Sequence, residues 1–381
     1  MRTLSGISAV PAADWNALTG PDQPALQHAF LTLLEATGAA SPATGWTARH
    51  QIIDDSQGGL AAALPLYEKQ HSFGEFVFDF ALADAWHRSG LHYYPKLVTG
   101  IPFSPLIGPR LLGRDENHRH ALAEAMEKLA NGQDFSTAHA LFCNQPDQQL
   151  LSGRGWVRRD GCRFLWQNRD YRDFDHWLEG FRSKKRKNLR RERRDVRERG
   201  IHFHWVEGEA LQHADWEQLY PLYANTYHQR LQEPYLPRTF FEQLCREQRD
   251  SVLLIEARDE DEQLIAMAFC LKGKDTLYGR HWGALRDVDG LHFETCYHQG
   301  IEYCIERGLK YFDPGTQGEH KLLRGFEPVE TWSMHWIPHP GLRQAVADFA
   351  AAEAQRNRAY MQAAHEHLPF HRAPGTPELS P

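Results

Sequence analysis

The chain has 381 residues, 41% of them apolar, and 43 Lys and Arg against 50 Asp and Glu give a formal net charge of −7. That length suits two domains, and that composition can bury two cores. No run approaches the roughly 18 apolar residues a membrane-spanning helix needs, so such a span is excluded.

In chain order, the pattern predicts a helix over Leu26–Thr37 and then strands at Trp46–Ile53 and Leu60–Tyr67, separated by the turn-forming stretch 54–59. Phe76–Phe80 alternates large apolar residues with smaller or polar ones and predicts a third strand. Tyr93–Thr99 follows, then the proline-punctuated loop Ile101–Pro105. Leu122, Met126 and Leu129 mark an amphipathic helix over Glu116–Ala130, and strands are expected at Ala138–Cys143 and Trp156–Trp166. The second half repeats this order. Helices are predicted at His213–Gln229 and Arg238–Gln248, and strands at Ser251–Ala257, Gln263–Leu271 and Thr276–Trp282. A long helix Leu291–Arg307 stops at Gly308, a favoured residue just past a helix end. A short strand Lys310–Asp313 and a closing helix Leu342–His367 complete the half.

This is an α/β chain with a repeated architecture, expected to divide into residues 1–165, a linker with a basic helix at 166–200, residues 201–368, and a disordered tail at 369–381. Two like-folded halves enclosing one crevice, with a cationic helix at its rim, is the premise of the functional expectation, and a single unbroken sheet, or that helix far from every concavity, would count against it.

The six cysteines, Cys143, Cys162, Cys245, Cys270, Cys296 and Cys304, form no CxxC pair and no zinc-finger spacing. They read as reduced thiols. Together with an N-terminus unlike a signal peptide, they predict a cytoplasmic location. The 22 histidines are scattered without HExxH spacing, so no metal is expected.

Charge is concentrated. Residues 182–199 hold eleven Lys and Arg against three acids, a local +8 that leaves −15 for the rest. The segment lacks Pro and Gly and ends at Gly200, which predicts a helix. Its apolar residues, Phe181, Leu189 and Val196, form a thin stripe. Lys184, Lys185, Arg186, Lys187, Arg190, Arg191 and Arg194 are therefore candidates to dock an anion: tRNA, a nucleotide-linked precursor or CoA phosphates. A solvated surface helix is the plainer alternative.

Polar residues also stand where a core or a strand end is expected. Glu75 and Asp79 flank an apolar stretch and need a partner or a proton. Tyr94, Lys96, Arg280 and His281 are candidates for holding a substrate carboxylate or phosphate. Asp313, Glu319, His320 and Lys321 lie on a loop after a strand, with Gly315 and Gly318 allowing close backbone approach.

Four stretches carry a resemblance: 28–40 (HAFLTLLEATGAA), 71–79 (HSFGEFVFD), 183–194 (SKKRKNLRRERR), and 292–309 with 314–326 (PGTQGEHKLLRGF). Together they resemble the bacterial FemAB-like peptidoglycan biosynthesis/recognition family of the GNAT acyltransferase superfamily, from about residue 5 to 365. The resemblance implies two tandem GNAT-like domains with mixed central sheets. It also implies transfer of an aminoacyl group from a donor such as aminoacyl-tRNA to an amine of a cell-wall precursor or small molecule, with no cofactor required. Lys321 would then stand near the oxyanion, and Asp313, Glu319 or His320 would accept the amine proton. An acetyl-CoA-dependent N-acetyltransferase and a non-catalytic recognition scaffold remain as alternatives. Where GNAT enzymes place a glycine-rich pyrophosphate loop, residues 286–292 offer one glycine and two aspartates, which repel a pyrophosphate.

Overall fold

The computed structural model describes residues 1–132, 134–316 and 318–371. Its strands are β1 (Arg2–Leu4), β2 (Trp46–Ala48), β3 (His50–Asp54), β4 (Leu60–Leu64), β5 (Leu66–Lys69), β6 (Lys96–Thr99), β7 (Leu112–Gly113), β8 (Ala138–Cys143), β9 (Val157–Gln167), β10 (His202–Glu207), β11 (Val252–Arg258), β12 (Leu264–Lys272), β13 (Thr276–Ala284), β14 (Tyr311–Asp313) and β15 (Glu327–Trp336). Among the described residues they form a four-stranded sheet, β1-β3-β4-β7, and an eleven-stranded sheet, β10-β11-β12-β13-β14-β9-β15-β8-β6-β5-β2. Both senses of pairing occur: β13 with β14 and β6 with β8 are parallel, and their other partners are antiparallel.

The larger sheet runs without a break from one half to the other, contrary to the premise of two separate sheets. The seam is narrow. β9 joins β14 through Tyr311 opposite Gln167 and Phe312 opposite Trp166, whereas β15 follows β9 from Val157 to Leu165. β15, from the end of the chain, is thus inserted between β8 and β9 of the first half. The tandem architecture holds, with the two sheets stitched together by this returning strand.

The interior is also shared. One apolar cluster joins Phe30 and Trp46 of the first half to Trp216, Phe240 and Phe241 of the second, and the rings of Phe30 and Phe240 meet edge to face at 5.3 Å. Burying each such ring contributes about 1.5–3 kcal/mol, so the two halves are bound along this side of their junction.

Most anticipated elements are present, with corrections: Trp46–Ile53 and Leu60–Tyr67 each divide into two strands, β2 and β5 in the larger sheet and β3 and β4 in the smaller. Phe76–Phe80 is not a strand: a loop runs to Asp79, and a helix spans Phe80–Arg88. The reason is Lys96. Its buried ammonium draws Glu75 and Asp79 inward, and Phe73, Phe78 and Phe80 are left 62%, 65% and 56% exposed. The strands β10 and β15 add to the pattern. At the end of the chain, Phe370 bridges to Phe181, and residues 372–381 lie outside the described residues.

Candidate active site

β14 ends at Asp313, and the backbone turns back at once through Gly315 and Gly318, whose φ angles of 92° and 112° are accessible to glycine. Gln317, between them, lies outside the described residues. The turn is tied at both ends. Asp313 Oδ1 accepts the Gly315 N–H at 3.0 Å, and Lys321 Nζ donates to the Gly315 carbonyl at 2.7 Å. Asp313 and Lys321 are 2% and 1% exposed, so the loop brings a carboxylate and an ammonium together inside the protein.

Two arginines close on the same point. Arg163 of β9 donates one N–H to Asp313 and another to the Pro105 carbonyl. Arg280 of β13 donates to the Phe103 carbonyl at 2.5 Å and carries no carboxylate partner among the described residues. Asp313 thus pairs with Arg163 and acts electrostatically on Lys321 and Arg280. Burial pulls the Lys321 ammonium down to about 8, Asp313 opposing the shift and Arg163 adding to it. Burial likewise pulls Arg280 down to about 10.

The remaining loop candidates point elsewhere. His320 Nε2 meets Tyr297 Oη at 2.8 Å, among His292 and Phe293, and burial with the nearby Lys321 and Arg324 lowers its pKa. Glu319 is exposed beside Tyr360. Of the four loop residues, Asp313 and Lys321 converge, while His320 and Glu319 do not join them.

The substrate-binding candidates separate in the same way. Lys96 is wholly buried and donates to Glu75 at 2.8 Å, Ser72 at 2.9 Å and Asp79. Burial lowers its pKa, but the two carboxylates outweigh that and raise it. Burial raises Glu75 to about 7. Tyr94 Oη meets Ser72 Oγ at 2.8 Å. The Lys96 ammonium is engaged by Ser72, Glu75 and Asp79, so a substrate carboxylate has no free donor there, while Glu75 Oε1 and Asp79 Oδ1 are buried without a partner among the described residues. His281 packs edge-on to Tyr223 and Phe241, and burial holds it neutral. Of this group, Arg280 is the one that reaches the Asp313 cluster.

Beside the cluster opens a cavity of about 300 Å³, whose floor the sequence did not single out. Arg159, Gly161 and Arg163 alternate along β9 and so share one face. β15 places Ser333 opposite Arg159 and Thr331 opposite Gly161. Arg159 is paired with Glu353 of the helix Pro340–Glu366 at 2.8 Å. The Arg-x-Gly-x-Arg alternation was visible in the sequence, but a face could not be assigned without β15.

The basic stretch forms a helix, Ser183–Arg197, that is divided in use. Arg193 is buried and pairs with Glu294 at 2.9 Å and Glu302 at 2.5 Å, over the ring of Phe174. Glu192 reaches Arg324, close to Lys321 in the turn, at 2.9 Å. Arg190 pairs with Asp175 and Arg194 with Glu198. Lys184, Lys187 and Arg191 are exposed, Lys185 and Arg186 half-buried, and none of these five pairs with a carboxylate among the described residues. The helix therefore borders the Lys321 turn on one side and offers unpaired cations on the other.

At the far edge of the sheet, His202, His204 and Glu262 bring three potential metal ligand atoms within 4.8 Å of one another. The sequence reading expected no metal, and 58 residues separate His204 from Glu262. All six cysteines are free, and no helix among the described residues is long and apolar enough to cross a membrane.

The sequence profile of the FemAB-like family, described as peptidoglycan biosynthesis/recognition, matches residues 6–372. No curated protein matches in sequence. Among solved structures, FemX superposes with a TM-score of 0.55 at 12% identity, covering 91% of this chain and all of that one. The C-terminal domain of a putative lysylphosphatidylglycerol synthetase from Agrobacterium fabrum gives 0.52 at 10%, covering 90% and 95%. A conserved protein of unknown function from Bacteroides thetaiotaomicron gives 0.53 at 10%, covering 88% and 99%. At these identities the likeness is one of fold.

Proposed function

Because the chain belongs to the FemAB-like family, we propose that it is an aminoacyl- or peptidyltransferase, moving an acyl group from an activated ester such as aminoacyl-tRNA to an amine of a cell-wall precursor or small molecule. The observation that carries this reading is the buried turn in which Asp313 and Lys321 both hold Gly315, with Arg163 bound to Asp313 and Arg280 within its electrostatic reach.

In the reaction the acceptor nitrogen attacks the ester carbonyl, the C–N bond forms, and the carbonyl oxygen becomes an oxyanion. Collapse breaks the ester C–O bond. The amine gives up one proton and the departing ribose oxygen takes one up. Lys321, Arg163 and Arg280 set fixed positive charge in a place shielded from water, where it favours a developing oxyanion. Asp313 supports the reading as the one carboxylate in that cluster, able to accept the amine proton. The ester is already activated, so holding donor and acceptor in register is the larger part of the task.

The unpaired cations of the helix Ser183–Arg197 support a polyanionic donor. Residues 285–290 support a donor other than CoA. Asp287 and Asp289 are exposed there, and the loop's own Arg286 is engaged by Asp259 at 2.7 Å.

The test is transfer of a radiolabelled amino acid from a mixed aminoacyl-tRNA pool to amine-bearing cell-wall precursors, run beside labelled acetyl-CoA. The proposal expects label in an amide product from the tRNA pool. Label delivered from acetyl-CoA alone would replace it with the CoA-dependent reading, and label from neither would leave the scaffold as a recognition protein.

A further inference from the structure

We propose that the cavity between β9, β15 and the helix Pro340–Glu366 binds the carboxylate of a small organic acid, the acceptor's carboxylate end, with its carbon body against Val77, Phe78 and Phe142. The inference rests on the transferase reading for the word acceptor, but the carboxylate site itself stands on the cavity.

The first observation is a pair of unused donors. Among the described residues Arg159 Nη1 and Arg163 Nε are buried and have no hydrogen-bond partner, although the other nitrogens of both side chains are engaged. Arg159 and Arg163 are 7% and 2% exposed. A buried guanidinium N–H without an acceptor costs about 1–3 kcal/mol, and both of these residues line the cavity. An oxygen ligand there removes both deficits.

The second observation is the company they keep. Thr316, Thr331 and Ser333 add hydroxyl groups to the lining, which also holds Phe76, Val77, Phe78 and Phe142. Donors set beside apolar side chains are the pattern that recognises an anion carried on a carbon body.

Charge selects the anion. Arg159 is already paired with Glu353, and Arg163 with Asp313. Asp160 also lines the cavity and is engaged by Arg158. The lining therefore holds little surplus positive charge. A dianionic phosphate would sit beside Glu353 and Asp160 without compensation, whereas a singly charged carboxylate needs only the two spare N–H groups and a hydroxyl.

Position gives the site its use. Arg163 binds Asp313 through one nitrogen and itself lines the cavity. A carboxylate held there lies one guanidinium away from the Asp313–Lys321 pair, a distance that suits an acceptor whose amine and carboxylate are separated by a few bonds.

The full-length protein is titrated with N-acetylalanine, with N-acetylalaninamide and with inorganic phosphate, binding being followed by isothermal calorimetry. N-acetylalanine is expected to bind, and the amide and phosphate to bind at least about 10-fold more weakly. Arg159→Gln is expected to weaken N-acetylalanine about 10-fold or more. Because that change leaves Glu353 unpaired, Thr331→Val serves as a second variant of nearly unchanged volume and should weaken binding by a smaller but measurable factor. Failure of N-acetylalanine to bind, equal binding of the amide, tighter binding of phosphate, or wild-type affinity in both variants would each overturn the proposal. Carboxylate binding without any acyl transfer would sink the transferase reading and leave the site standing. Transfer without carboxylate binding would do the reverse.

Discussion

Arg163 and Asp313 are 150 residues apart in sequence, yet their side chains form a buried ion pair across the seam where β9 joins β14. The pair fastens the two halves at their narrowest junction and sets the electrostatics of the Lys321 turn. Asp313→Asn keeps the shape but leaves Arg163, Arg280 and Lys321 without a counter-charge. Breaking one partner of a buried pair costs about 3–5 kcal/mol. Urea unfolding should show that loss as a lower midpoint with little change in slope.

The helix Ser183–Arg197 should respond to substitution according to which side is touched. Changing Lys184, Lys187 and Arg191 together to Ala should leave stability within about 0.5 kcal/mol per site and reduce the salt dependence of tRNA binding by a slope of roughly 3. Arg193→Ala should instead cost about 3–5 kcal/mol, because it strands the buried Glu294. Filter binding across salt concentrations and urea melts separate the two outcomes.

Lys69 gives a pH signature. Its Nζ lies 3.7 Å over the Trp46 ring and donates to the Phe73 carbonyl, and burial pulls its pKa from 10.5 to about 7. Below about 7 the folded and unfolded chains both hold the proton. Between about 7 and 10.5 the unfolded chain keeps a proton that the folded chain has shed, so stability rises with pH through that window. Lys321 adds the same sign from about 8 upward. Lys69→Met should therefore flatten the stability profile most clearly between about 7 and 8, measured as urea midpoints against pH.

Much of the scaffold was legible because its elements carry strong local signals. Leu253, Leu254 and Ile255 announce a buried β11, and Gly308 stops its helix in the left-handed conformation at φ 67°. β15 escaped because Glu327, Pro328 and Glu330 dilute its alternation, and only the company of β8 and β9 makes it central. The Phe76–Phe80 stretch misled for a long-range reason: its carboxylates turn inward to meet Lys96, which lies 21 residues beyond Glu75. The site divides along the same line. Asp313 and Lys321 share one glycine-bracketed loop and could be found together, whereas Arg163 joins them through strand pairing that no local pattern encodes.

The central claim is that the Lys321 turn carries the transfer chemistry. Single-turnover transfer from aminoacyl-tRNA by Lys321→Ala, compared with the unaltered protein under saturating acceptor, tests it most directly. Loss of one charge-stabilising donor at an oxyanion lowers turnover about 10²–10³-fold, and a fall of that size under conditions where the urea transition shows the variant fully folded is the result expected. A variant that transfers at the original rate would contradict it.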